Sequence, residues 1–344
     1  MEPETALQPT FRATIADVAQ RAGVSIATVS RVINRTGPVA EETAAHVQVA
    51  IAELNYVPHA AARGLASRRT HTLGLLFAGI SSPFLVPLLR GIEISAHEAG
   101  FSLLIHSTQD GASQVPRPRR PLGEHNTDGL LVYVSTLDET DLRYFYDLRF
   151  PVVLLYQTPP DSLPIPHVNF ENRTGARNLV DHLIEVHGYR RVAFLKGPEN
   201  EEDSYWRERG YLEALATHSI PFDPTLIGLG GFDEEVAQRS VEKWLEEGII
   251  IDAIFAGDDD AAVGVIQALQ QGGKNVPQDV AVVGFDDVHL AHYLMPPLTT
   301  VRTPIEQSGR EAVRQLVQLI NTGHAEQHIL LPTELIIRRS CGCN

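Results

Sequence analysis

The sequence predicts an α/β protein in which two lobes of parallel, doubly wound sheet follow a small all-α helix-turn-helix N-terminal domain. Three observations carry this expectation. The chain of 344 residues is too long for one ordinary core. Its first 54 residues hold three short helical patterns and no strand pattern. Beyond them, seven apolar runs alternate with amphipathic stretches, the rhythm of right-handed βαβ crossovers.

The helical patterns come first. Ile15, Val18, Ala19 and Ala22 recur at i, i+3, i+4 and i+7, and Thr14 with Asp17 forms a start signal related to the capping box. Gly23 and Val24 make a turn, and Ser25 stands as N-cap of a second helix that buries Val29, Val32 and Ile33. A third helix runs from about Glu41 to Leu54 with Val47, Ile51 and Leu54 on one face, and Pro58 stops it.

The strand candidates are LGLLFAG (73–79), FSLLIH (101–106), GLLVYV (129–134), PVVLLY (151–156), RVAFLK (191–196), AIFAG (253–257) and VAVVGF (280–285). Seven strands over this length fit two lobes better than one, and such sheets bind ligands at the carboxyl ends of their strands. One connection breaks the rhythm: Pro116, Pro118 and Pro121 exclude a regular crossover helix, so an irregular, exposed, basic link is expected over 112–123. The resulting division is a helix-turn-helix domain (1–58, with 1–12 expected to be disordered) and a linker (59–70).

Composition narrows the function classes. The apolar runs span five to seven residues, whereas a membrane-spanning helix needs about 20. The opening MEPETALQPTFRAT carries acid and proline where a secretory signal needs a basic patch and an apolar stretch, so a cytoplasmic protein is expected. The net charge of −15 argues against a nucleic-acid partner until its distribution is read: residues 1–70 carry +1 and residues 71–344 carry −16. DNA would repel the acidic bulk and accept the basic head. Both cysteines, Cys341 and Cys343, fall in the last four residues. A lone C-x-C pair lacks the second ligand pair of a structural zinc site, so reduced thiols near an exposed tail are expected, with no metal and no cofactor.

The stretch TIADVAQRAGVSIATVSRVIN (14–34) is the strongest chemical signal. A helix-turn-helix needs a bracing helix, a tight turn and a second helix whose exposed side chains reach base edges. Subtracting the buried set leaves Ile26, Ala27, Thr28, Ser30, Arg31 and Asn34 outward. Arg31 has the fork that pairs with guanine, and Ile26 and Ala27 offer apolar contact to thymine methyls. Thr14, Thr28, Ser30 and Asn34 suit phosphates, and the capping Ser25 joins this DNA-facing set.

At this point the chain resembles the lactose-repressor (LacI/GalR) family of regulators. The resemblance rests on TIADVAQRAGVS, TVSRVIN, VAEET with AIAELNYVP, AARGLA (61–66), SSPF (81–84), AIFAGDDDAAVG (253–264), DVAVVGFDD (279–287), PPLTTVRTP (296–304) and the SCGC tail, in order along nearly the whole chain. It implies homodimers on pseudo-palindromic double-stranded DNA operators and a periplasmic-binding-protein-like sensor holding a small-molecule effector. The return of the chain to each sensor lobe is implied by the same resemblance, with an N-subdomain of 71–168 plus 301–324 and a C-subdomain of 169–300 plus 325–344. The alanine-rich segment 59–69 is too short to be a stable helix alone. In the family this hinge pairs with its dimer mate in the minor groove, where the leucine matching Leu65 wedges into a base step. Arg63 matches the accompanying Ala-Arg-x-Leu pattern, whereas His59 stands where asparagine is common.

The resemblance also points to an effector pocket. Arg207, in an Arg-x-x-Gly-Tyr pattern, resembles the effector-clamping arginine, and Asp286 an aspartate that accepts sugar hydroxyls. Asp258 stands where asparagine is usual, which makes the pocket more acidic. Phe232 resembles a stacking aromatic, Phe84 follows the first strand, and Tyr156 and Gln157 follow another into the cleft. Aromatic faces beside charged hydrogen-bonding partners suit sugars, with a nucleobase or nucleoside as the alternative. Two plainer readings stay open: Arg207 bridging Glu201, Glu202 or Asp203 at the surface, and Asp258, Asp259 and Asp260 serving as a helix N-terminus.

Two other classes fit worse. The neighbours Asp286 and Asp287 point to opposite faces, unlike a catalytic carboxylate pair, and no Walker loop, nucleophile elbow or HExxH helix is present, so no enzyme is expected. A sugar-binding transport protein would carry a secretory signal and no DNA head.

Overall fold

The computed structural model describes residues 13–34, 36–56, 69–77, 79, 83–108, 120–134 and 136–344. It divides into two compact units, Met1–His71 and Thr72–Asn344. Arg63, Leu65 and the rest of the hinge up to Arg68 lie outside the described residues, as do 1–12 and 112–119 of the proline-rich link.

The first unit is a three-helix cluster: α1 (Ile15–Ala22), α2 (Ile26–Asn34) and α3 (Glu41–Glu53). α1 opens on a true capping box, in which the Thr14 backbone N–H donates to Asp17 (2.7 Å) and the Asp17 N–H donates to the Thr14 hydroxyl (3.3 Å). Gly23 closes it in the left-handed region (φ 67°), where a side chain would be strained. Ser25 caps α2 by accepting from the Thr28 N–H at 3.1 Å. Val18, Ala19, Val29, Val47, Ala50 and Tyr56 form the core; Val32, Ile33, Ile51 and Leu54 pack half-buried around it. α3 ends at Glu53 with Leu54 as its C-cap, ahead of the proline expected to stop it, because Asn55 turns left-handed (φ 45°) and Tyr56 folds back onto the core.

The second unit begins with β1 (Thr72–Phe77), α4 (Leu85–Glu98), β2 (Ser102–Ser107), β3 (Gly129–Tyr133), α5 (Glu139–Asp147), β4 (Val152–Leu155) and β5 (His167–Phe170). It continues with α6 (Asn172–His187), β6 (Val192–Lys196), α7 (Glu202–Thr217), β7 (Ile227–Leu229), α8 (Glu234–Glu246), β8 (Ala253–Phe255), α9 (Asp259–Gln271) and β9 (Ala281–Val283). β10 (Thr300–Arg302), α10 (Ile305–Thr322), β11 (His328–Leu331) and β12 (Glu334–Ile336) complete it.

These strands make two parallel sheets, ordered β11-β5-β4-β3-β1-β2 and β7-β6-β8-β9, and an antiparallel pair β10-β12. Period-two alternation sorts the side chains. Leu75, Leu131, Val153 and Phe255 enter the large core shared by the two lobes, while Leu76, Leu130, Val152 and Leu154 fill a second core on the outer face of the first sheet. Ile254 and Val282 likewise face a third core under the second sheet. The order reverses between β1 and β3 and again between β6 and β8, so each lobe has a switch point opening at its strands' carboxyl ends. Helices pack in pairs, α4 on α10, α6 on α7 and α8 on α9. Each crossing is tight enough that a Cβ at Gly91, Gly210 or Gly264 would strike the partner helix's backbone at 2.1, 2.3 or 1.9 Å.

Three sequence expectations need correction. β11 pairs in parallel with β5 and extends the first sheet, so 325–344 does not belong wholly to the C-subdomain. The described end of the proline-rich link is anchored, not exposed: Arg120 pairs with Asp141 at 3.0 Å and lies over the Tyr144 ring, and Leu122 is buried. The cysteines are not exposed thiols either: Cys341 is fully buried and Cys343 half-buried, with His182 and His187 of α6 beside the two sulfurs, while Gly342 and Asn344 are exposed. None of the described helices is long and apolar enough to cross a membrane.

Candidate functional site

In the helix-turn-helix unit, the core takes Val29 and the flanks of Val32 and Ile33, which turns the opposite face of α2 outward. Ser25, Ile26, Ala27 and Arg31 are exposed, Ile26 at 51%. Thr28, Ser30 and Asn34 are half-buried and already tied locally: Thr28 shares a hydrogen bond with Ser25 (2.9 Å), and Asn34 donates to Ser30 (3.2 Å). Thr14 is exposed at the start of α1. Arg21 is held by Glu53 at 2.6 Å, whereas no carboxylate among the described residues pairs with Arg31.

In the second unit the centre of the site is Arg207. It is not the surface bridge that the neighbouring acids allowed, because its side chain is only 3% exposed. Nε donates to Asn172 Oδ1 (2.9 Å), Nη1 to the Gly257 carbonyl (2.8 Å) and Nη2 to Asp286 Oδ1 (3.0 Å). The guanidinium carbon lies 4.0 Å from the Phe285 ring centre and 5.0 Å from that of Phe232. Four elements meet here: α7 carries Arg207, α6 begins with Asn172, and the turns after β8 and β9 supply Gly257 and Asp286. These bonds use three of the five guanidinium N–H donors.

Backbone conformation at the strand ends is unusual. Tyr156, Phe232 and Asp286 adopt φ of 58°, 54° and 106°, each of which costs on the order of 1–3 kcal/mol for a residue with a side chain. Asp258 is the N-cap of α9, accepting from the Ala261 N–H at 2.8 Å, so the plainer reading of that acidic run holds for it. Asp259 is fully engaged too, accepting from the Val288 N–H (2.8 Å) and the Thr300 hydroxyl (2.6 Å). Asp287 faces away from Asp286, to Arg338 (2.6 Å) and Arg302 (2.8 Å), which rules out joint acid–base work by the pair.

Phe84 and Tyr156 stand in the first lobe's aromatic cluster with Phe170 and Tyr133, the ring centres of Tyr156 and Phe84 being 5.4 Å apart. The Tyr156 hydroxyl is hydrogen-bonded to Ser308 on α10. Gln157 follows, partly exposed. Next to it Thr158 ties the first lobe to α7, its N–H and hydroxyl both donating to Glu202 (2.7 and 2.8 Å).

Burial sets the electrostatics. It pushes the Asp203 carboxyl up to about 7, against the pull of nearby Arg207, with Asp286 and Glu201 adding repulsion. Asp258 and Asp286 are raised for the same first reason, Asp286 less so because Arg207 sits on it. Tyr133 and Tyr156 are raised chiefly by burial, with the charges of Asp203 and Asp286 adding to it.

Asn172, Asp203, Phe285 and Gly257 escaped sequence reasoning. Asn172 follows a four-residue strand, HVNF, too polar to register as one, and Asp203 was weighed only as an exposed partner for Arg207. Asn172 donates to Asp203 at 2.7 Å while accepting from Arg207, so it links the two charges.

Comparison with known proteins agrees with this construction. Residues 14–59 match the bacterial regulatory proteins of the lacI family, and residues 180–341 match the periplasmic binding protein-like domain. The chain is 34% identical to the HTH-type transcriptional repressor PurR of Aliivibrio salmonicida over 330 residues, 95% of this chain and 98% of that one. It is 33% identical to the ribose operon repressor of Escherichia coli K12 over 329 residues, 95% and 99% of the two chains. A solved lac repressor dimer, bound to operator and the anti-inducer ONPF, superposes with a TM-score of 0.82 at 27% identity, covering 96% of this chain and 99% of that one. With a helix-turn-helix head and a two-lobed second unit that match these relatives over nearly their full length, the chain belongs to the lacI family and is a DNA-binding transcriptional repressor controlled by a small-molecule effector.

Proposed function

We propose that the effector is a sugar held at Arg207 and that the repressor acts as a homodimer on a pseudo-palindromic operator. The carrying observation is the buried Arg207 fork, fixed by Asn172, Gly257 and Asp286 between two aromatic rings. Sugar hydroxyls donate to carboxylates, accept from guanidinium and present apolar faces to rings; Asp286, Asp203, Arg207 and Phe232 supply those partners. Asp258 borders the pocket as the N-cap of α9, and Phe84, Tyr156 and Gln157 belong to the facing lobe. The similarity to a purine repressor favours a second reading, a nucleobase stacked on Phe232.

On DNA, Arg31 reads guanine while Ile26 and Ala27 meet thymine methyls; Thr14, Ser25, Thr28, Ser30 and Asn34 position the head on phosphates. Arg63 and Leu65 enter the minor groove at the operator centre. Effector and operator prefer different lobe arrangements and so change each other's affinity by one coupling free energy, about 1–3 kcal/mol in typical cases.

A thermal-shift screen of sugars and nucleobases against the wild type and Arg207→Lys tests the pocket. Lysine keeps the charge and loses the fork. A sugar that stabilises the wild type and not the variant supports the reading; nucleobases alone doing so supports the second; equal stabilisation of both proteins rejects Arg207 as the clamp.

A further inference from the structure

Four metal-binding side chains meet at a place the repressor function does not use. His182 and His187 lie in the last two turns of α6, and Cys341 and Cys343 in the C-terminal tail; their ligand atoms all lie within 4.8 Å of one another. Cys341 Sγ is 3.6 Å from His182 Nε2, and Cys343 Sγ is 3.7 Å from the same nitrogen and 3.4 Å from His187 Nε2. We propose that His182, His187, Cys341 and Cys343 form a structural zinc site that fastens the C-terminal tail to the end of α6.

The edge lengths fit that ion. Zinc bound at about 2.3 Å from sulfur and about 2.0–2.1 Å from nitrogen in a tetrahedron separates neighbouring N and S ligands by about 3.5 Å. The three sulfur–nitrogen edges above, 3.4–3.7 Å, have that length. Single hydrogen bonds are open to the thiols, Cys341 Sγ to the Arg338 carbonyl (3.5 Å) and Cys343 Sγ to His187 Nε2 (3.4 Å), yet both sulfurs also crowd the one His182 nitrogen, whose neutral ring offers a single acceptor lone pair. One ion at the centre satisfies all four atoms. The set of two sulfurs and two nitrogens suits zinc, and four protein ligands leave no open position for catalysis.

The surroundings are built to hold these ligands. Gly342, between the cysteines, has φ 105°, and a Cβ there would meet the Tyr189 hydroxyl at 3.2 Å and the His187 ring at 3.3 Å. Only glycine lets the tail turn both sulfurs toward the histidines at that spacing. The Tyr189 ring stacks on His187 and its hydroxyl donates to the Cys341 carbonyl (3.2 Å). The Thr299 hydroxyl donates to Cys341 Sγ (3.2 Å), a contact that favours a thiolate. Ser340 anchors the turn by donating to the Val282 carbonyl (2.6 Å) and accepting from the Thr299 N–H (2.8 Å). A groove of about 530 Å³, walled in part by Gly342, Cys343 and Asn344, gives an ion its way in.

The test uses the untagged full-length chain, purified under reducing conditions with zinc and then freed of loose metal by gel filtration. About one zinc per chain is expected, as is the visible and near-ultraviolet absorption of tetrahedral cobalt-thiolate when cobalt replaces it. Chelation lowers the melting midpoint and zinc restores it. Cys343→Ser and His187→Asn change partly exposed ligands in a tail and at a helix end, so the fold survives, which circular dichroism verifies. Both variants lose the retained zinc, the cobalt spectrum and the response to chelator. Zinc far below one equivalent in the wild type overturns the proposal, as does zinc content unchanged in the Cys343→Ser/His187→Asn double variant or a Cys341–Cys343 disulfide in the reduced, zinc-supplied protein.

Discussion

Arg207 and Asp286 form a buried ion pair at 3.0 Å, with side chains 3% and 7% exposed, at the point where α7 meets the turn after β9. Burying two charges is costly, and removing one partner strands the other in a low-dielectric site. Arg207→Ala is therefore expected to cost about 3–5 kcal/mol of stability, whereas Asp286→Asn, which keeps a hydrogen-bond acceptor for the guanidinium, costs clearly less. Urea unfolding of both variants checks the order; equal losses would contradict it.

The same burial makes the protein's stability depend on pH in a definite direction. Asp203 rises from 3.8 to about 7 on folding, so the folded chain holds its proton more tightly than the unfolded chain does. Its contribution is full below pH 3.8 and is lost as pH climbs through about 7. Glu201, Asp258 and Asp286 are raised by burial as well and act in the same sense. The exposed carboxylates of Asp17, Asp223 and Asp279, held low by local hydrogen bonds, act oppositely but equally in wild type and variant. Asp203→Asn is expected to flatten part of the fall in melting midpoint across this range. An unchanged slope would show that Asp203 ionises normally in the folded chain.

Much of this was legible in the sequence. The capping box at Thr14 and Asp17 and the Ser25 cap rest on local rules, and a family pattern names Arg207 and Asp286 singly without foreseeing their mutual ion pair. Seven strands show as apolar runs, six of them because both sheet faces are covered, while the edge strand β2 leaves Leu104 and Ile105 exposed. The strands that escaped, β5, β7, β10, β11 and β12, are three or four residues long and carry His, Asn, Gly, Arg or Glu. Pairing with partners outside the local window defines them: β11 runs beside β5 more than 150 residues upstream, and β7 and β10 pair with β6 and β12 more than 30 residues away, which no local period encodes. The cysteine tail misled for the same reason: its histidine neighbours lie over 150 residues upstream, and only the fold brings them together.

Arg31 is exposed on α2 without a carboxylate partner among the described residues, so its removal leaves the fold unaffected. Arg31→Ala is expected to weaken operator binding by about 1–3 kcal/mol and to relax preference at one base pair per half-site. A selection of binding sites with the variant reads this out. Uniform weakening across all sequences would instead make Arg31 a phosphate contact.

Leu65, outside the described residues, is the proposed minor-groove wedge. Leu65→Ala should reduce operator affinity and the bend it imposes while leaving the melting midpoint of the free protein unchanged. Circular-permutation gel shifts report the bend; a full bend with the variant would place the wedge elsewhere.

The central claim is that the N-terminal unit reads duplex sequence while the acidic second unit governs it through an effector. Its most direct test is fluorescence-anisotropy binding at fixed salt to a selected palindrome and to a random duplex, with and without the effector found in the thermal screen. At least about 1,000-fold preference for the palindrome is expected, changed by the effector through a coupling of about 1–3 kcal/mol. Equal affinity for the two duplexes, unmoved by effector, would contradict it.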